Sequence, residues 1–305
     1  MSDSGFQVPL EDLEYATDLE KTYGVSDDLL DYYRHHQANL RRFDVSPQVD
    51  ETCADDLDFL RRELSVLRDS GYDPTVEDGI FEAARVDFVH STARIEGNTL
   101  SVGDVSLVLG EGAVIPGKSL REHEEVADID RAFHVMVEFV KERRSLDIEM
   151  ILQIHEVVAR HLPDCEPGEL RFDQRYITGS SIYPPPPARV RPLLQDAIDW
   201  YQDDPGIVRA AGFHLLFEDI HPFQDGNGRC GRILLNFMLM SLGYPVIALK
   251  CDHTHAVQYH RIVSSFAADI ERRDASPMLK LVIEALQVAT ARRILQIEQR
   301  EARFS

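Results

Sequence analysis

Apolar residues recur at intervals of three and four along most of this 305-residue chain, and that spacing places them on one face of successive α-helices. Strand-like alternation is confined to short stretches, so the fold is expected to be mainly α. From Val76 to about Ile95, the residues Ile80, Ala83, Ala84, Val86, Phe88, Val89 and Ala93 form one broad apolar stripe, and Gly97-Asn98 ends it. Ser101 caps a short helix, Ile115-Pro-Gly117 marks a loop, and longer helices are expected over Leu120 to Arg144 and Asp147 to His161. Helices resume near Leu193, from Gly206 to Ile220, from Gly228 to Leu242, from His255 to Arg272 and from Pro277 to Arg300. The stretch Arg171 to Arg191 breaks the pattern. It carries Tyr176-Ile-Thr178-Gly179-Ser180 and four prolines, Pro184 to Pro187, and is expected to form a short hairpin or flap. The first 70 or so residues read as two or three acidic helices with Leu10, Leu13, Leu19, Leu57, Leu60, Leu64 and Leu67 on their apolar faces.

With 44% hydrophobic residues the chain can bury one substantial core with a small satellite. Its formal charge of −21 opposes phosphate backbones and anionic bilayers, which argues against nucleic acid and membrane partners. No leader precedes Pro9 and no apolar run reaches the roughly 18 residues of a span, so the expected location is the cytoplasm. Cys53, Cys165, Cys230 and Cys251 lack C-x-x-C spacing, and His35-His36, His253-Thr-His255 and His260 lack companion carboxylates in a clear geometry, so no zinc site is expected. His214 is expected in the core.

Chemistry concentrates in His221-Pro-Phe-Gln-Asp225-Gly-Asn-Gly-Arg229-Cys-Gly-Arg232, a tight loop opening a helix. Gly226 and Gly228 allow backbone amides to approach phosphate oxygens, and the N-terminus of the following helix adds unpaired N–H groups and its dipole. Arg229 and Arg232, three residues apart on the first turn, can offer two guanidiniums to a polyphosphate. Asp225 supplies a hard oxygen for Mg²⁺, and His221 has an intrinsic basicity suited to proton transfer near neutrality.

This segment resembles the signature of Fic (Fido-fold) proteins, H-P-F-x-D-G-N-G-R-x-x-R, and matches it at every specified position. Phe217-Glu218-x-Ile220 before it, Gly243-Tyr-Pro245 after it and Pro167-Gly-Glu-Leu-Arg171 also look like the family, and the resemblance spans roughly residues 80–285. It implies a helical Fic core at 121–285 with a β-hairpin flap, an inhibitory helix segment at 76–120, an appended helical region at 1–75 and a C-terminal helix end at 286–305. The implied activity is transfer of AMP from ATP-Mg²⁺ to a Tyr, Ser or Thr hydroxyl of a target protein, the chain itself included, with a homodimer as a further partner. His221 would be the base, Phe223 the loop's anchor and Asp225 the Mg²⁺ holder. Gly226, Asn227 and Gly228 would form the anion hole for the α- and β-phosphates, Arg229 would contact β-phosphate oxygens and Arg232 the γ-phosphate, with Cys230 and Gly231 between them. Thr178, Gly179 and Ser180 would line the target strand, and Tyr259 would lie near the adenine, although no asparagine follows it there. The phosphorylating relatives carry a lysine and a bulkier residue near the position of Gly228, which favours nucleotidyl transfer here.

Thr92-Ala-Arg-Ile-Glu96-Gly97 resembles the family's inhibitory pattern, [S/T]-x-x-x-E-[G/N]. A carboxylate reaching Arg232 could form a two-pronged pair that withholds the guanidinium from ATP, and Thr92, four residues earlier, could steady it. The same glutamate would also suit AMP removal. Transfer of UMP, phosphocholine or a bare phosphoryl group, and a non-catalytic ATP-binding module, are the competing readings.

Overall fold

The structure is a computed structural model that describes residues 41–163, 165–173 and 184–304. Two 3₁₀ turns, Arg41–Asp44 and Glu51–Cys53, lead into ten α-helices among these residues. They are α1 (Ala54–Asp69), α2 (Gly79–Ile95), α3 (Val102–Glu111), α4 (Leu120–Lys141), α5 (Ile148–Val158), α6 (Pro187–Asp203), α7 (Ile207–Ile220), α8 (Asn227–Ser241), α9 (His253–Ala268) and α10 (Ser276–Phe304). Within the described residues the sole strand-like pairing is an isolated parallel bridge, Gln48 with Asp274. No helix among them is long and apolar enough to cross a membrane.

Local chemistry sets most helix starts. Asp78 accepts from the amides of Ile80 and Phe81 to open α2, and Ser101 and Ser119 form reciprocal capping boxes with Asp104 and Glu122. The expected flap segment differs in what its prolines do. Pro187 starts α6 rather than blocking it, because a proline's fixed φ and missing N–H suit the first helical position. Residues 174–183, which hold most of the expected hairpin, lie outside the described residues, as do 1–40.

The core is organised around α7 and α8. Both are buried on nearly every side, as a central helix must be: in α7 every residue except Val208 and Arg209 is buried, and in α8 every residue except Gly228 and Ser241. Helices α4, α5, α6 and α9 surround this pair, and α2 lies against both α4 and α8. Asp219 near the end of α7 is fully buried between Arg42 and Arg273, at 2.8 Å from Arg42 Nη2, which fastens the segment before α1 and the turn leading into α10 to the helix that delivers the loop. The turn between α7 and α8 is thereby held from several directions at once.

Candidate functional site

The α7–α8 connection begins at His221, which closes α7 in a left-handed conformation, φ 51° and ψ 61°. A Cβ makes that conformation costly, so a non-glycine residue persists there only where its surroundings hold it. Arg171 does so: its Nε donates to the His221 carbonyl at 2.8 Å, and its other nitrogens reach the carbonyls of Ile220, Asp173 and Pro185. Burial, followed by the charge of Arg171, lowers the His221 pKa to about 4. The imidazole is therefore neutral at neutral pH and able to accept a proton.

Phe223 is fully buried and stacks face to face on His155, ring centroids 3.6 Å apart and planes within 2°. Asn227 locks the turn across itself: its side chain accepts from the Phe223 amide and donates to the Phe223 carbonyl, both at 2.9 Å. The side chain of Asn227 is thus committed to the loop, leaving its backbone to the expected anion hole. Gly226 sits at φ 81°, where a side chain would be strained, and a Cβ there would also press on Leu162 and Val158. Because Gly226 offers no side-chain cap, the first-turn amides of α8 receive no side-chain acceptor. That leaves a positive helix end at the far side of the turn that His221 opens.

Asp225 Oδ1 accepts from the Gly226 amide at 2.6 Å and from Arg229 Nη2 at 2.7 Å, and its Oδ2 makes no hydrogen bond among the described residues. Arg229 Nη1 donates to Glu125 Oε1 at 2.8 Å. Arg232 is buried deeper. Its Nη2 donates to Glu96 Oε1 at 2.6 Å and to the Thr92 carbonyl at 3.1 Å, and Nη1 reaches the Tyr259 hydroxyl at 3.3 Å. Burial pushes the Glu96 carboxyl up, but the Arg232 and Arg229 guanidiniums outweigh it and hold Glu96 below the ordinary carboxylate range.

Three placements differ from expectation. The Glu96–Arg232 contact is single rather than two-pronged. Glu96 stands one residue past the end of α2, and the buried Thr92 hydroxyl, expected to steady it, has no hydrogen-bond partner; the Thr92 carbonyl accepts from Arg232 instead. Tyr259, expected beside a base, is only 2% exposed, with its hydroxyl between His214 Nε2 at 2.8 Å, Glu218 Oε1 at 3.2 Å and Arg232. Cys230 is fully buried, and a Cβ on Gly231 would meet Glu218 Oε1 at 2.7 Å, so both positions serve packing behind the loop. Thr178, Gly179 and Ser180 lie outside the described residues.

Two contributors escaped sequence reasoning. His155 accepts from the Gly168 amide at Nδ1 and so donates from Nε2 to the Asp225 carbonyl at 3.0 Å; its sequence signal was a polar residue on the apolar stripe Ile151, Ile154 and Val158. Glu125 stands in an acidic run with Glu122 and Glu124 that looks like any solvated helix face. Tyr259 also borders a separate apolar cavity of about 900 Å³ between α2 and α10. Among the described residues no group of three or more His, Cys, Asp or Glu side chains could hold a metal by itself.

Residues 145–239 match the model of the Fic/DOC family. The chain is 39% identical over 180 residues to protein adenylyltransferase fic-1 of Caenorhabditis briggsae, covering 56% of this chain and 35% of that protein. It is 31% identical over 235 residues to protein adenylyltransferase Fic of Drosophila ananassae, covering 75% of this chain and 46% of that one. The chain therefore spans less than half the length of these relatives. A solved fragment of Fic-1 from C. elegans superposes with a TM-score of 0.66 at 28% identity, over 94% of this chain and 82% of the fragment. A Fic domain containing signaling protein from Bacteroides thetaiotaomicron shares the fold at a TM-score of 0.66 and 20% identity, covering 80% of this chain and 97% of that one.

Proposed function

This chain belongs to the Fic/DOC family, and from that premise we propose that it transfers AMP from ATP to a Tyr, Ser or Thr hydroxyl of a target protein, restrained by its own Glu96. The observation that carries the reading is one juxtaposition. A neutral imidazole, His221, stands at one end of a six-residue turn whose other end is a helix N-terminus bearing Arg229 and Arg232. His221 takes the proton of the target hydroxyl; the freed oxygen attacks the α-phosphorus, the bond to the bridging oxygen breaks and pyrophosphate leaves. The first-turn amides of α8 and the two guanidiniums hold the phosphates in line for that attack.

The donor chemistry suits Mg²⁺, which combines one or two carboxylates with phosphate oxygens and water. Asp225 is the residue that would hold it, through the oxygen left uncommitted by Arg229 and Gly226. When bound, the ion would neutralise phosphate charge. In the braked form Glu96 occupies the Arg232 Nη2 hydrogens together with the Thr92 carbonyl, so a terminal phosphate would have to displace it. Residues 76–120 are then the regulatory segment and 121–285 the catalytic core, with Thr178, Gly179 and Ser180 proposed to dock the target.

Incubation with α-³²P-ATP and Mg²⁺ tests this, comparing the parent chain, Glu96→Gly and Glu96→Gly/His221→Ala in a lysate and alone. Label on a protein, this chain included, only with Glu96→Gly supports both the transfer and the brake. Bound ATP without transferred label in any of the three would reject the transferase reading.

A further inference from the structure

Two residues beyond Glu96 lies a buried polar group, Asn98. Asn98 is 4% exposed and every polar atom of its side chain is used: Oδ1 accepts from the Leu100 amide at 3.0 Å, and Nδ2 donates to the Glu122 carbonyl at 3.1 Å and to Glu125 Oε2 at 2.8 Å. The other oxygen of Glu125 holds Arg229 Nη1. One carboxylate on α4 therefore joins the turn that carries Glu96 to the first of the two loop arginines.

We infer that Glu125 is the positioning residue for Arg229, and that Asn98 couples its placement to the turn bearing Glu96. The inference rests on the proposed function. Arg229 has two partners, Asp225 and Glu125, which use two of its five N–H groups; Nε and one hydrogen on each terminal nitrogen are left for a phosphate. Of the two, the Asp225 side chain is 43% exposed and is the residue suited to Mg²⁺, whereas Glu125 is 15% exposed and held from behind by Asn98. When Asp225 turns to the ion, Glu125 is the carboxylate that still aims the guanidinium. Its burial pushes its own carboxyl up, against the opposing pull of Arg229 and Asn98, so the pair depends on those two contacts. Glu125 touches no reacting atom in this arrangement. Its effect passes through Arg229, and only onto phosphates beyond the first.

Binding of ATP, ADP and AMP to the Glu96→Gly chain, measured by calorimetry, tests this without any transfer step. Adding Glu125→Gln should weaken ATP and ADP by about tenfold, the scale of one charge-assisted hydrogen bond, and leave AMP within about twofold. Asn98→Ala should shift the same ADP-to-AMP ratio in the same direction by less, which keeps the inference testable should Glu125→Gln fail to fold. An equal loss for all three nucleotides, as a structural defect would give, or no loss for any, would overturn the inference. No nucleotide binding by Glu96→Gly itself would instead overturn the proposed function on which it rests.

Discussion

Glu96 Oε1 and Arg232 Nη2 lie 2.6 Å apart although 136 positions separate them in the chain, and the space for that contact exists because Gly228 has no side chain: a Cβ there would stand 2.3 Å from the same oxygen. Arg232 is almost wholly buried and the Glu96 side chain is 27% exposed, which puts the pair between the surface and interior cases. Glu96→Gln should cost about 1–3 kcal/mol of stability without nucleotide. Thermal melts with saturating ATP-Mg²⁺ should show a larger stabilisation of the variant than of the parent, since phosphate no longer competes with a carboxylate.

The neutral state of His221 sets a pH profile. Its pKa is lowered to about 4, so a base acting from the free imidazole should keep the Glu96→Gly chain's rate level from neutrality to about pH 5 and lose half of it only near about 4. A midpoint near the ordinary histidine value, in initial rates of label incorporation, would count against His221 as a buried base.

Glu218 gives the opposite kind of signal, in stability. Burial raises its pKa to about 7 from an ordinary 4.5, despite the attraction of Arg232. Between those values the folded chain keeps a proton that the unfolded chain releases, so this group's contribution falls as pH rises from about 4.5 to about 7. Glu218→Gln cannot ionise, and denaturant titrations should show it gaining on the parent across that window and holding the gain above it. His155, lowered to about 4 by burial, runs the other way: the unfolded chain protonates first, so stability falls as pH drops below about 6.5.

Gly231 separates loop chemistry from packing. A Cβ there would meet Glu218 Oε1 at 2.7 Å and His214 Cε1 at 3.1 Å, both on buried residues of α7. Gly231→Ala should destabilise the chain by about 1–3 kcal/mol, the cost of overpacking, read as a lowered midpoint in urea.

Replacing His155 removes the stack on Phe223 and the bond to the Asp225 carbonyl together. His155→Ala should cost about 2–4 kcal/mol and weaken nucleotide binding, whereas His155→Phe should restore much of the stability, through the stack, and less of the binding. Calorimetric affinities beside melting curves would distinguish the two effects.

The loop from His221 to Arg232 could be read from the sequence because its geometry is local. Gly226 needs a left-handed backbone, Asn227 bonds four residues back to Phe223, and Arg229 and Arg232 lie three apart in the first two turns of one helix, so twelve consecutive residues hold most of their own instructions. The helical core was legible for the same reason, since an amphipathic period and a capping residue act within a few positions. The partners of the two arginines were another matter. Glu125 sits in what reads as a solvated acidic run, the Thr92 hydroxyl expected to steady Glu96 has no partner while its carbonyl holds Arg232, and Tyr259, expected near the adenine, has its hydroxyl buried among His214, Glu218 and Arg232. Each of those roles depends on which helix ends meet across 27 to 140 positions of chain. Side-chain spacing carries no record of such meetings; they are set when α2, α4 and α9 close around the buried pair α7 and α8, and only the tertiary structure decided them.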